Sequence, residues 1–198
     1  MNRMLRLSRN AVLTAMSILV SVHTVHAQAF VAPSLGVTLA NESGEGRADF
    51  GAAFGWISPR DPIGVELDVV YAPSFFGGAA VYGGNSVTTI MGNVIFAGGG
   101  EGRYGFYRRR GSFVRPYVSG GAGMMHEVVT TAIPGQRVSN DDFGVNLGAG
   151  VMALSWRSVG IRGDVRYFRN LVNNADATNV NFGAFHFWRA SIGLVLGF

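Results

Sequence analysis

Apolar residues recur at every second position in eight separate runs spread from residue 30 to the end of the chain. The last run is the clearest. Across residues 185–198, Trp188, Ala190, Ile192, Leu194, Leu196 and Phe198 form one face, and Arg189, Ser191, Gly193, Val195 and Gly197 form a smaller, more polar one. A period of two is that of a strand, and faces this different predict two different solvents. Residues 30–40 set Leu35, Val37 and Leu39 against Ser34, Gly36 and Thr38, and residues 49–57 set Phe50, Ala52, Phe54 and Trp56 against Gly51, Ala53 and Gly55. In 63–71, Val65, Leu67, Val69 and Tyr71 oppose Glu66 and Asp68; in 86–96, Ile90, Val94 and Phe96 oppose Thr89, Met91 and Asn93. In 114–124, Val118, Ala122 and Met124 oppose Arg115, Tyr117 and Ser119. In 143–152, Phe143, Val145, Leu147 and Val151 oppose Gly144, Asn146, Gly148 and Gly150, and in the seventh run Ile161, Val165 and Tyr167 oppose Arg162, Asp164 and Arg166. Runs of about ten residues suit strands tilted by some 45° across a bilayer, and an even count suits a closed barrel. The pattern predicts an all-β fold, an eight-stranded antiparallel up-and-down transmembrane β-barrel over residues 28–198.

The connections also alternate. Residues 40–48, 72–85, 126–142 and 169–183 are long and polar or rich in Gly, whereas 58–62 and 153–158 are short. Barrels of this kind place short turns in the periplasm and longer loops outside, which predicts the orientation. The segment 97–113 falls in the periplasmic set, yet it is long and carries Arg103, Arg108, Arg109 and Arg110; strands that run on beyond the membrane would account for it. Aromatic residues fall at two heights, with Tyr71, Phe143, Tyr167 and Trp188 toward the outer interface and Trp56, Phe96 and Phe198 toward the inner. Interfacial girdles explain them without a ligand.

Composition adds a compartment. The chain of 198 residues has no Cys, and every one of its 16 basic residues is Arg. Arg3, Arg6 and Arg9 precede an apolar stretch from residue 11 to 22, and Val25-His26-Ala27 follows with small residues at the positions a signal peptidase reads. This predicts a cleavable signal peptide over residues 1–27, too short to span a bilayer as a helix. Removing it leaves thirteen Arg against twelve acidic residues, a net charge of +1, so the basic character is no sign of a nucleic-acid partner. The mature protein is expected in the cell outer membrane.

The ordered motifs Gly64-Val65-Glu66-Leu67-Asp68, Met91-Gly92-Asn93-Val94 and Arg115-Pro116-Tyr117-Val118-Ser119-Gly120-Gly121 recur in a known family, as do Asn146-Leu147-Gly148-Ala149-Gly150-Val151 and Arg162-Gly163-Asp164-Val165-Arg166-Tyr167. With the final strand ending on Phe198, they make the chain resemble the outer-membrane β-barrel family of OmpA-type transmembrane domains, OmpX-like proteins and opacity-type surface antigens. The resemblance implies that Trp188, Ile192, Leu194, Leu196 and Phe198 form the signal that the insertion machinery recognises. It also implies a barrel without an appended peptidoglycan-binding domain, outer-membrane lipids and lipopolysaccharide as surroundings, and a monomer. The family is functionally mixed, so shape and location follow from it more than activity.

The chemistry with the strongest pattern is the set of charges facing inward: Glu66, Asp68, Arg115, Arg162, Asp164, Arg166 and Arg189. An eight-stranded barrel is just wide enough for side chains to fill, so these charges are expected to pair as a plug. Four Arg against three acids leaves one cation over, and the alternative is therefore a narrow, anion-preferring pore. A further alternative is a lipid A-modifying enzyme built on His126 or His186, but neither has the His-x-Ser spacing that the resemblance would require. Asp141 and Asp142 are expected to face His126 across the third loop. No cofactor, metal cluster or catalytic set is predicted; the loops are expected to offer the surface for any external ligand.

Overall fold

The computed structural model describes residues 28–40, 46–58, 62–76, 84–98, 108–109, 112–130, 137–155, 159–172 and 186–198. The expected signal peptide lies outside them. Eight long strands follow in order: β1 (Gln28–Ala40), β2 (Gly46–Ile57), β3 (Ile63–Pro73), β4 (Asn85–Ala97), β6 (Ser112–Thr130), β7 (Arg137–Ser155), β8 (Val159–Val172) and β9 (His186–Gly197). A two-residue strand, β5 (Arg108–Arg109), pairs with the start of β6. Each long strand is antiparallel to its sequence neighbour, and β9 returns to pair with β1 from Phe30↔Gly197 to Ala40↔Phe187. The pairing of β4 with β6 completes the circle, so no long strand is left with an open edge. Closure satisfies every ladder, which lipid, having no hydrogen bonds to offer, requires.

The two faces separate as the period of two predicts. Leu35, Phe54, Leu67, Ile90, Val118, Leu147, Ile161 and Ile192 all stand exposed on the outside. Glu66, Asp68, Asn93, Ser119, Asn146, Arg162, Arg166 and Arg189 are buried inside. In water this would be an inverted protein; against hydrocarbon it is the stable arrangement. Aromatic side chains mark the margins of the apolar band: Phe50 lies opposite Tyr71, Tyr167 packs on Trp188 at 5.1 Å between ring centroids, and Ile63 lies opposite Phe96.

Two strands depart from the expected lengths. β6 and β7 are 19 residues each and pair without interruption from Ser112↔Ser155 to Thr130↔Arg137. The segment expected as a third loop, 126–142, is therefore ladder over residues 126–130 and 137–142. At the other end, β5 pairs Arg108 with Phe113 and Arg109 with Ser112, so part of the long segment 97–113 is a ladder extension.

Candidate functional site: the barrel interior

The lumen is filled in layers, because each inward residue shares a height with partners set by the strand registers. At the end with the short turns, Phe30, Ile57, Ile95, Tyr117, Met152, Leu154 and Val195 pack together. At the end with the longer loops, Val87, Met91, Met125, Phe168 and Phe187 pack with Ala72 and Phe75. Phe168 and Phe187 stack at 4.7 Å, and Phe75 meets Phe187 edge-on at 5.2 Å.

Between these apolar layers lies the charged one. Arg166 reaches three carboxylates with three nitrogens: Nη2 donates to Glu66 Oε1 at 2.7 Å, Nε to Asp164 Oδ1 at 3.1 Å and Nη1 to Asp68 Oδ2 at 3.4 Å. Arg162 donates through Nη1 to Glu66 and through Nε to Asp164 Oδ2 at 2.9 Å. The Tyr117 hydroxyl accepts from Arg162 Nε at 2.6 Å and donates to Asp164 Oδ2 at 2.9 Å, with the guanidinium 4.9 Å above its ring. Asn93 Nδ2 donates to Glu66 Oε1 at 3.2 Å, and Asn146 Nδ2 donates to Asn93 Oδ1 at 2.7 Å. Planar forks suit this arrangement, since one Arg can serve several carboxylates without deforming.

Glycines make the room. A Cβ on Gly148 would stand 2.5 Å from Arg166 Cγ, and one on Gly150 would stand 2.5 Å from the Tyr117 hydroxyl. The two residues face the network from β7, and a side chain at either position would displace one of its members.

Five of the seven charges expected in the lumen thus meet directly: Glu66, Asp68, Arg162, Asp164 and Arg166. Arg189 stands beside them, and its Nε donates to Asp49 Oδ1 at 2.8 Å while Nη2 donates to Ser34 Oγ at 3.1 Å. Asp49 also accepts from the Thr38 hydroxyl at 2.8 Å. Arg115 is buried but apart, both Nη atoms donating to the Ser58 carbonyl at 3.2 Å near the turn end. Asp49 is the member that the sequence reading missed, although alternation with the outward Phe50 already places it inside. It supplies the carboxylate that pairs with Arg189, and of the four Arg expected in the lumen Arg115 is the one that meets a carbonyl in place of a carboxylate.

The two histidines among the described residues stand on the outside. His126 Nδ1 lies 2.6 Å from Asp141 Oδ1 across β6 and β7, both side chains exposed. His186 lies opposite Arg169 and near the Tyr167 ring, on β9. Asp141 and Asp142 do not face His126 together, because adjacent strand residues point to opposite sides: Asp142 is inside the barrel.

A closed circle of eight antiparallel strands, apolar outside and ionic inside, decides the architecture. The fold is that of the eight-stranded outer-membrane β-barrels. Among solved structures, Neisserial surface protein A (NspA) matches with a TM-score of 0.62 at 12% identity, over 87% of this chain and 97% of that one. Ail, the attachment invasion locus protein of Yersinia pestis, solved in complex with the heparin analogue sucrose octasulfate, matches with a TM-score of 0.55 at 13% identity, over 87% and 99%. No family model matches the sequence, and no curated protein matches it. At such identities the likeness is one of outer-membrane barrel fold, and the charged interior has to be interpreted on its own geometry.

Proposed function

We propose that the protein is an integral outer-membrane barrel with a structural or surface-interaction role, whose lumen is closed by the Arg–carboxylate network and the apolar layers on either side of it. The observation that carries this reading is the layering itself. An ion entering from either end would have to cross a packed apolar stratum to reach the central charged layer. The cavity bordered by Ser34, Asp68, Arg162, Asp164 and Arg189 measures about 10 Å³, room for about one water. In this reading the short turns face the periplasm and the longer connections form the cell-surface contacts, as in barrels of this architecture. The final strand, with Trp188, Ile192, Leu194, Leu196 and Phe198 outward, is the segment the insertion machinery would grip. The protein acts as a monomer in this reading, with lipopolysaccharide and other outer-membrane lipids against its belt, and it has no catalytic role.

The test is conductance of the refolded protein in a planar bilayer, with folding checked by the mobility difference between boiled and unboiled samples. A silent bilayer is expected. Discrete anion-selective steps that change in Arg166→Ala would overturn the closed-lumen reading and make the interior a pore. Lipid A profiles of cells with and without the protein should be identical; a new acylation or deacylation product would restore catalysis.

A further inference from the structure

Near residues 125–130 and 137–142 the β6–β7 hairpin has left the apolar belt. Its outer face there carries the exposed His126–Asp141 pair, with side chains 44% and 62% accessible, which hydrocarbon would not tolerate. Its inner face carries two more acids. Glu127 is 1% exposed and Asp142 2%. Asp142 accepts from Asn140 Nδ2 at 3.0 Å and from Asn170 Nδ2 at 3.0 Å, one bond on each oxygen. Glu127 has no hydrogen-bond partner on either carboxylate oxygen. The register sets Glu127 directly opposite Asn140 and one inward position beyond the Met125↔Asp142 pair, so the two acids stand on the inner face at neighbouring heights.

Two buried carboxylates side by side are costly without a counter-charge. None of the Arg residues that neutralise the middle of the barrel reaches them, because Val87, Met125 and Phe168 form an apolar floor beneath. The facing walls are Val87 from β4, Asn140 and Asp142 from β7, and Asn170 from β8; the titratable His126 and Asp141 point the other way. What is offered is an all-oxygen donor set of two buried carboxylates. Each Asp142 oxygen keeps a lone pair beyond the one its Asn donor uses, and the two Asn amides orient that carboxylate as outer-shell groups do around metals.

We propose that Glu127 and Asp142 form a binding site for a divalent cation of the calcium type at the loop end of the barrel. Oxygen-only, carboxylate-rich sites of irregular geometry suit calcium more than softer metals. The ion would bridge β6 to β7, and through Asn170 to β8, where the ladders lack the support of lipid. Burial first, and the charge of Asp142 second, push the Glu127 carboxyl up to about 7.

Calcium titration of the refolded protein in detergent micelles by calorimetry at pH 7.5 tests this. One saturable site is expected. Glu127→Gln, of nearly the same shape, should lose roughly tenfold or more in affinity, as should Asp142→Asn, while His126→Ala on the outer face keeps wild-type binding. No saturable binding by protein that shows the folded gel mobility would overturn the proposal. So would binding unchanged in both Glu127→Gln and Asp142→Asn.

Discussion

Arg166 shows how much one side chain can hold together. It touches Glu66, Asp68 and Asp164 at once, on two strands, and is 1% exposed. Its removal leaves buried carboxylates short of a cation, and Arg166→Met should cost about 3–5 kcal/mol, the range for breaking a buried ion pair from one side. Urea unfolding in detergent measures this, and Arg115→Met, which strands only the Ser58 carbonyl, should cost less. Glu127 makes the opposite prediction. Its folded-state carboxyl holds a proton up to about 7, whereas the ordinary Glu value is 4.5. In that window the unfolded chain binds fewer protons, so the wild type loses stability as pH rises from about 4.5 to about 7. With divalent ions chelated, Glu127→Gln should gain on the wild type across that window, by on the order of 3 kcal/mol above it and by nothing below about pH 4. A flat difference between the two proteins from pH 4 to 8 would refute it.

Strands carry these residues to their heights, and the demands on a strand change along its length. Within the belt one face must be apolar, so alternation alone places Leu147 outside and Arg166 inside. Leu147 lies at the centre of the outward row of β7 and is 67% exposed. Leu147→Arg should destabilise the barrel by about 2–4 kcal/mol in lipid vesicles, as a cation near the midplane does. At Asp141, beyond the belt, the same change should cost no more than about 1 kcal/mol. Gly148→Ala acts on the other face of the same strand: its Cβ would displace Arg166, and a lower unfolding midpoint is expected. This difference between belt and rim explains what the sequence made legible. Eight strands and their faces follow from the lipid's requirement, including most of the inward charges. Above the belt both faces of a strand can be polar, so His126, Glu127, Asp141 and Asp142 carry the composition of a loop while continuing the β6–β7 ladder. Alternation had already placed Asp49 inside beside the outward Phe50, but its position next to the first loop obscured it. The pairing of Arg189 with Asp49, 140 residues apart, is a consequence of barrel closure that no local pattern contains.

At the scale of the molecule the closed-lumen reading proposed above makes the interior three barriers in series, and a path in series conducts only when every barrier is open. The turn-end apolar layer includes Met152, the charged layer centres on Arg166, and the loop-end apolar layer is built around Phe168 and Met91. An apolar constriction too narrow for water excludes ions by dewetting, independently of the charges beyond it. Arg166→Ala alone should therefore leave a planar bilayer silent, and so should Phe168→Ala or Met152→Ala alone. Combining Arg166→Ala, Phe168→Ala and Met152→Ala in protein that still shows the folded mobility should produce ion current. Conductance in the single Arg166→Ala variant would mean that the apolar layers are already permeable and that the ion pairs alone close the barrel. Silence in the folded triple variant would mean that neighbouring side chains, Met91 and Tyr117 among them, collapse into the space released, as close-packed interiors can when a cavity is opened.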